Sequence, residues 1–184
     1  LVQRCCVPLA NVRAHPEAFY GGLRLVAMDG SNFELPDEAD NVAAFGYPGS
    51  RTGHAGYPQA QCAVLVECAT HGILAANLGP YRAGEWEICQ PLLSRLTPDM
   101  LCLADRGFFG YEMWRQALAT NAQLLWRMKK NAVLPCDKRL ADGSYLSRIY
   151  PSEKDKRHQT NAIQVRVIEY RLAGVADAEP IYRL

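Results

Sequence analysis

LRLVAMDGS (residues 23–31) and MLCLADRGF (residues 100–108) decide the fold of this chain between them. Each opens on an apolar run, and each run is closed by an aspartate, Asp29 in one and Asp105 in the other. A glycine follows within two residues in both, Gly30 and Gly107, where the backbone can turn away. A short apolar run stopped by a turn reads as a buried strand. Two strands are therefore expected to end in carboxylates, and if they are neighbours in one sheet the carboxylates meet at its edge.

Working outward, QCAVLVEC (61–68) and HGILAANL (71–78) are two apolar runs around a turn at His71-Gly72, a hairpin in a buried sheet. GEWEICQPLLSRL (84–96) places Trp86, Cys89, Leu93 and Leu96 at helical spacing, with Pro91 expected to kink the helix or delay its start. GYEMWRQALAT (110–120) puts Tyr111, Trp114 and Leu118 on one helical face, and QLLWRM (123–128) reads as a further buried strand leading to Lys129 and Lys130. Strands alternating with helices specify an α/β core. Between the first strand and the hairpin, residues 32–59 are polar and rich in Gly and Pro, a long loop whose acidic cluster (Glu34, Asp37, Glu38, Asp40) could form a metal loop but reads better as a solvated turn.

Beyond Asn131 the texture changes to short alternating pieces, AVLPCDKRL, GSYLSRIY, AIQVRVIEYRL and PIYRL, with a turn at ADGS and a charged loop from Ser152 to Thr160 lying outside. The expected organisation is a flank of a longer protein at 1–22, a core at 23–131 and a β-rich basic subdomain at 132–184. The start on Leu1 and the stop at IYRL read as cuts through a longer protein.

Composition admits an enzyme and excludes several classes. With 184 residues, 49% apolar and 21% charged, the chain is long and apolar enough to bury a core. No run reaches the roughly 20 apolar residues of a membrane span and no signal-peptide pattern opens the chain, so a cytosolic protein is expected. The seven cysteines never form C-x-x-C, and most lie in apolar runs, which suits buried, reduced thiols. His15, His54, His71 and His158 lack ligand spacing, and nucleophile-elbow, phosphate-loop and zinc-protease motifs are missing. Net charge is +1, but residues 127–171 hold eleven Lys/Arg against five Asp/Glu, so an acidic body carries a basic flank. That layout suits an enzyme with carboxylates for a metal and cations for a polyanion, although a charge run is also an ordinary solvated face.

Converging carboxylates repel unless a hard cation lies between them, and oxygen ligands suit magnesium or manganese. Two such ions can activate water or a hydroxyl and stabilise the leaving oxygen in phosphodiester chemistry. Taken alone, each aspartate is better read as a cap on the turn that follows it. Arg127, Lys129 and Lys130 could meet phosphates or be ordinary strand-end cations.

Four blocks, MDGSNFELPDEADNVAAFG (28–46), GYPQAQCAVLVECATHGIL (56–74), MLCLADRGFFGYEMW (100–114) and LLWRMKKNAVLPCDKRLADGSYLS (124–147), together resemble the DDE transposases of bacterial insertion sequences, specifically the insertion-sequence-four family. The resemblance spans most of Leu25 to Leu184. It implies an RNase H-like mixed sheet with helices, followed by a β-rich insertion subdomain, and a triad of two aspartates and a glutamate holding two Mg2+ (or Mn2+) ions. Asp29 looks like the first acid and Asp105 the second. The implied reaction is metal-dependent hydrolysis at an element's end followed by strand transfer of the freed 3′ hydroxyl. The implied partners are DNA, both transposon ends and target, and a second copy in a homodimer when complete, with no membrane; the implied location is the cytoplasm, on the nucleoid when bound to DNA. Arg106, Arg127, Lys129 and Lys130 are the DNA-contact candidates.

The family's third acid lies in a Tyr-x2-Arg-x3-Glu-x6-Lys motif that this sequence does not match. Tyr170 has Ala173 where arginine is required, and Tyr182 lies two residues from the last. Glu153, Glu169 and Glu179 are not substitutes for it. A fragment inactive by itself is therefore expected, with a non-catalytic DNA-binding remnant as the alternative.

Overall fold

The computed structural model describes residues 5–50, 53, 54, 56–130, 132, 134–176 and 178–184. Parts of the expected flank (1–4), of the polar loop (51, 52, 55) and of the basic segment (133, 177) lie outside the described residues, as does Asn131.

Strands β1 (Phe19–Tyr20), β2 (Leu23–Glu34), β5 (Gln59–Glu67), β6 (Ile73–Pro80), β7 (Met100–Ala104) and β8 (Gln123–Trp126) form one mixed sheet in the order β6-β5-β2-β7-β8, with β1 paired to β2. The hairpin read around His71 is present: β5 and β6 pair antiparallel, and His71 takes a positive φ of 56°. β5 is also antiparallel to β2, whereas β7 and β8 continue parallel from β2. Hence β6, β2, β7 and β8 all point the same way, and each parallel step needs a crossover. Helix α2 (Glu85–Cys89), with the 3-10 turn Gln90–Arg95, links β6 to β7; helix α3 (Tyr111–Leu118) links β7 to β8. The switch from α to 3-10 geometry occurs beside Pro91, whose missing N–H cannot extend the α-helical ladder.

One sheet face buries Val26, Met28, Leu65 and Cys102 against Ile88, Cys89, Leu92, Leu93, Met113 and Ala117 from the crossovers. Trp126 is 1% exposed and packs edge-on to Trp114, ring centroids 5.1 Å apart. Cys89 and Cys102 are buried here as expected, and burial pushes both thiols up to about 12.

Several expectations need correction. β2 does not stop at Asp29 but runs to Glu34, because Gly30–Glu34 pair with Gln59–Ala63 and the ladder satisfies their backbone groups. Residues 32–59 are not all loop: α1 (Ala39–Phe45) lies within them, ended at Gly46 (φ 74°), as do the short pair β3 (Gly49–Ser50) and β4 (Gly53–His54). α2 buries Ile88 and Cys89, and α3 buries Met113 and Ala117, while Trp86 and Leu118, both among the residues at helical spacing, are 36% and 39% exposed.

After β8, strands β9 (Lys138–Arg139), β10 (Tyr145–Ile149) and β11 (Ile163–Val167) form a three-stranded antiparallel sheet. Its core of Met128, Tyr145, Ile149, Val165 and Val167 packs on Phe109, Tyr111 and Trp114, so Trp114 contacts both cores. The expected turn at ADGS is there, with Gly143 at φ 88°. The expected charged loop is instead a short exposed helix, α4 (Glu153–His158), because Ser152 caps it by accepting a hydrogen bond from the Asp155 N–H at 3.1 Å. β12 (Glu169–Tyr170) and β13 (Tyr182–Arg183) pair with each other, and the Met128 N–H donates to the Arg183 carbonyl at 2.9 Å. No helix among the described residues is long and apolar enough to cross a membrane.

A buried charge fixes the start of the core. Glu67, 0% exposed at the end of β5, accepts hydrogen bonds from Thr70 Oγ1, from Arg24 Nη1 and from the Ala10 N–H at 2.8 Å. Arg24 also donates to the Ala10 carbonyl at 3.1 Å and lies over the Phe19 ring at 4.9 Å. Burial alone would raise the Glu67 pKa, but these hydrogen bonds and the guanidinium charge outweigh it and lower it.

Candidate functional site

Asp29 follows Met28, the last β2 residue paired with β7, and Asp105 follows its partner Ala104. The two aspartates thus stand side by side one step past the paired register, on parallel strands spaced about 4.8 Å apart. Strand pleating separates their neighbours: Val26 and Met28 face the packed side, while Ala27 and Asp29 line a depression of about 530 Å³ on the other face with Leu103, Asp105, Leu125 and Arg127. Both aspartates are exposed. Asp29 Oδ1 accepts a hydrogen bond from the Gly30 N–H at 2.8 Å, and Asp105 Oδ1 accepts one from the Gly107 N–H at 2.6 Å. The following glycines therefore hold one oxygen of each carboxylate, which is also what a turn-capping aspartate does.

A third carboxylate, not singled out from the sequence, lies at the same edge. Glu85 opens α2, and its Oε2 is 2.8 Å from the point where a Cβ on Gly107 would sit; Asp105 Oδ1 is 3.0 Å from that point. A Cβ on Gly30 would lie 3.4 Å from Glu85 Oε1. The Glu85 pKa is raised, first by burial, then by the negative charges of Asp105 and Asp29. The charges of both aspartates thus reach Glu85, and repulsion of that kind is what a hard cation relieves. Among the described residues, no group of three or more His, Cys, Asp or Glu side chains is arranged to hold a metal ion.

Of the four basic candidates, two are engaged by an acid that the sequence did not suggest. Glu179 Oε1 lies 2.7 Å from Arg127 Nη2 and 3.6 Å from Arg106 Nη1, and the Arg127 guanidinium also covers the Tyr182 ring at 4.9 Å. Glu179 comes from 52 residues beyond Arg127, a pairing with no local signal. Lys129 and Lys130 are exposed just past β8, and among the described residues no ion pair involves either. Other cations of the basic segment are held by neighbours, Arg148 by Asp137 at 2.9 Å and Arg166 by Asp142.

Residues 20–172 match the family model described as transposase DDE domain, so the match contains both aspartates and all four basic candidates. The chain is 27% identical over 153 residues to the transposase InsG of insertion sequence element IS4 from Escherichia coli (strain K12), covering 80% of this chain and 33% of that protein. It is also 27% identical over 93 residues to InsZ, a transposase by name from the same organism, covering 50% of this chain and 31% of InsZ. The chain thus spans about a third of the length of the curated relatives it matches.

Proposed function

Because this chain belongs to the family of transposase DDE domains, we propose that it is the front part of the catalytic domain of a DNA-cutting and strand-transferring enzyme whose Asp29 and Asp105 hold divalent metal. The observation that carries this reading is the β2–β7 register, which brings the two aspartates together at the carboxyl edge of parallel strands, where open α/β sheets bind their ligands. The donor set fits the group: carboxylate oxygens are hard ligands suited to Mg2+ or Mn2+, and Gly107 leaves open the gap beside Asp105 that a Cβ would fill. Bound there, two such ions would supply an activated water or 3′ hydroxyl and stabilise the leaving oxygen.

The protein's own part is positioning. The paired strands fix the spacing of the two carboxylates, and the Gly30 and Gly107 N–H groups each hold one oxygen so that the other can turn to a ligand. On this reading the sheet of β2 and β5 to β8 is an RNase H-like core, residues 23–131, and residues 132–184 are its β-rich insertion. DNA, as element end and target, is the proposed substrate, and the complete enzyme is proposed to work as a dimer on nucleoid DNA in the cytoplasm.

Among the described residues Lys129 and Lys130 have no ion pair to break before meeting phosphates. Replacing both by alanine is expected to weaken binding of any duplex to a similar degree and to flatten the slope of log K against log salt by about 2. An unchanged slope removes them from the interface. Arg106 and Arg127 would have to leave Glu179 before contacting DNA, so their contribution is expected to rise in Glu179→Gln.

The family's third acid has no counterpart motif in these 184 residues, so little nicking is expected from this chain by itself. The test is incubation with element-end DNA and Mn2+. Nicking that vanishes in Asp29→Asn and in Asp105→Asn supports the enzyme, whereas DNA binding with no nicking under any divalent ion favours a non-catalytic remnant. Nicking that survives both substitutions removes the aspartates from the mechanism.

A further inference from the structure

Resting on the reading of DNA as the substrate, we infer that Arg106 and Arg127 form a phosphate subsite beside Asp105, and that Glu179 is its built-in occupant, displaced by a backbone phosphate when DNA binds.

Two guanidinium groups from different elements converge on one carboxylate oxygen. Arg106 lies just past β7 and Arg127 just past β8, and Glu179 Oε1 stands 3.6 Å from Nη1 of the first and 2.7 Å from Nη2 of the second. Among the described residues no other acid is ion-paired with two arginines; those of Arg24, Arg115, Arg148, Arg166 and Arg183 each serve one. Arg127 lines the depression that holds both aspartates, and Arg106 is the residue after Asp105. A phosphodiester that reaches the aspartates therefore passes these two cations. Guanidinium groups recognise carboxylate and phosphate oxygens with the same fork of N–H donors, so the contacts that hold Glu179 suit a phosphate as well.

The contact is built to exchange. The Arg106 and Arg127 side chains remain 54% and 34% exposed, so water and salt reach the pair and it adds little to stability, unlike the sealed pair of Arg24 and Glu67. Nor does Arg127 depend on Glu179 for its position. Its guanidinium covers the Tyr182 ring at 4.9 Å, and Tyr182 is itself stacked on Tyr170, ring centroids 5.1 Å apart. When the carboxylate leaves, the cation stays oriented. The freed carboxylate gathers a cation as the DNA phosphate releases one, so binding with Glu179 in place is both weaker and less salt-dependent than these arginines alone would give.

The experiment is fluorescence anisotropy of a short duplex of arbitrary sequence, titrated with the whole chain in EDTA over a range of salt. The proteins are the wild type, Glu179→Gln, Arg127→Gln, the double variant of these two, and Glu169→Gln, with thermal melts of each. Glu169→Gln is the control, since it removes the same charge and frees Arg183 rather than the two arginines at the site. Expected in Glu179→Gln are DNA binding tighter by about threefold or more and a slope of log K against log salt steeper by about 1. Glu169→Gln should change binding less, and the gain from Glu179→Gln should vanish in the Arg127→Gln background. An equal gain in Glu169→Gln reduces the effect to net charge and overturns the inference. A gain that survives in the Arg127→Gln background places its origin elsewhere and also overturns it. Unchanged DNA binding in Glu179→Gln, with or without a lower melt, makes the contact a structural clasp and overturns it while leaving DNA as the substrate. Absence of duplex binding by every one of these proteins at the lowest salt overturns the reading of DNA as the substrate itself.

Discussion

Replacing Arg24 with methionine is expected to destabilise this protein by about 3–5 kcal/mol and to lower its melting temperature by on the order of 10 °C. Methionine keeps much of the aliphatic stem but strands Glu67, which is 0% exposed, without its guanidinium. Removing one member of a buried pair leaves a charge without compensation, and that penalty exceeds the net worth of the pair. The Ala10 contacts weaken as well, since Arg24 Nη1 and Glu67 Oε2 together hold both the carbonyl and the N–H of Ala10. The flank before β1 should therefore become more accessible to protease.

The same pair gives a pH dependence of defined sign. The folded Glu67 pKa lies below its unfolded value, so its contribution is fully present above the unfolded value, about 4.3, and is lost as pH falls through the folded one. Arg24→Met removes part of what lowers it while burial remains, so the folded pKa rises and acid unfolding begins at a higher pH. Melts from pH 7 down to pH 3 check this. Parallel curves for the two proteins would mean that Glu67 is not the titrating group.

The second large effect expected is on cation binding. If Asp105 is a direct ligand, as proposed, Asp105→Asn should cost more Mn2+ affinity than the roughly 10–100-fold that follows loss of an outer-shell partner, because a carboxylate becomes a neutral amide. The substitution is nearly isosteric, and an asparagine Oδ1 can still accept from the Gly107 N–H, so the metal-free fold is expected to persist. Asp29→Asn should behave alike for the same reason at Gly30. Circular dichroism that matches the wild type, with Mn2+ binding gone, is the expected pair of observations.

Much of this was legible because apolar runs report buried strands directly. MLCLA, QLLW and the two arms of the hairpin each became a strand, and the proline at 91 marked the change of helix type. The second half of β2 was not legible. Gly30 to Glu34 carry no apolar period and are strand only because β5 offers a ladder beside them. Which residues of α3 are buried was not legible from its spacing, because the helix serves two cores: Met113 and Ala117 lie in one, Tyr111 packs on the other, and Trp114 contacts both. The capped start of α4 was present in the sequence as Ser152 followed three residues later by Asp155, a cue outweighed by the charge of the segment.

At the site, the pairing of Asp29 with Asp105 followed from two similar runs, but their adjacency needed the register. Glu85 was within reach of sequence reasoning: a helix after β6 must begin where β6 ends, and that end is shared with β2 and β7. Glu179 was not. Its partners lie 52 and more residues away, and only folding brings an acid from near β13 onto Arg127 and Arg106.

The most direct test of the central claim is an anomalous difference map from a crystal of this chain soaked in Mn2+. The expected result is a peak at about 2.1 Å from carboxylate oxygens of both Asp29 and Asp105. A map with manganese bound elsewhere and no peak at this pair, while both side chains keep their hydrogen bonds to Gly30 and Gly107, would make them turn-capping residues and contradict the proposed site.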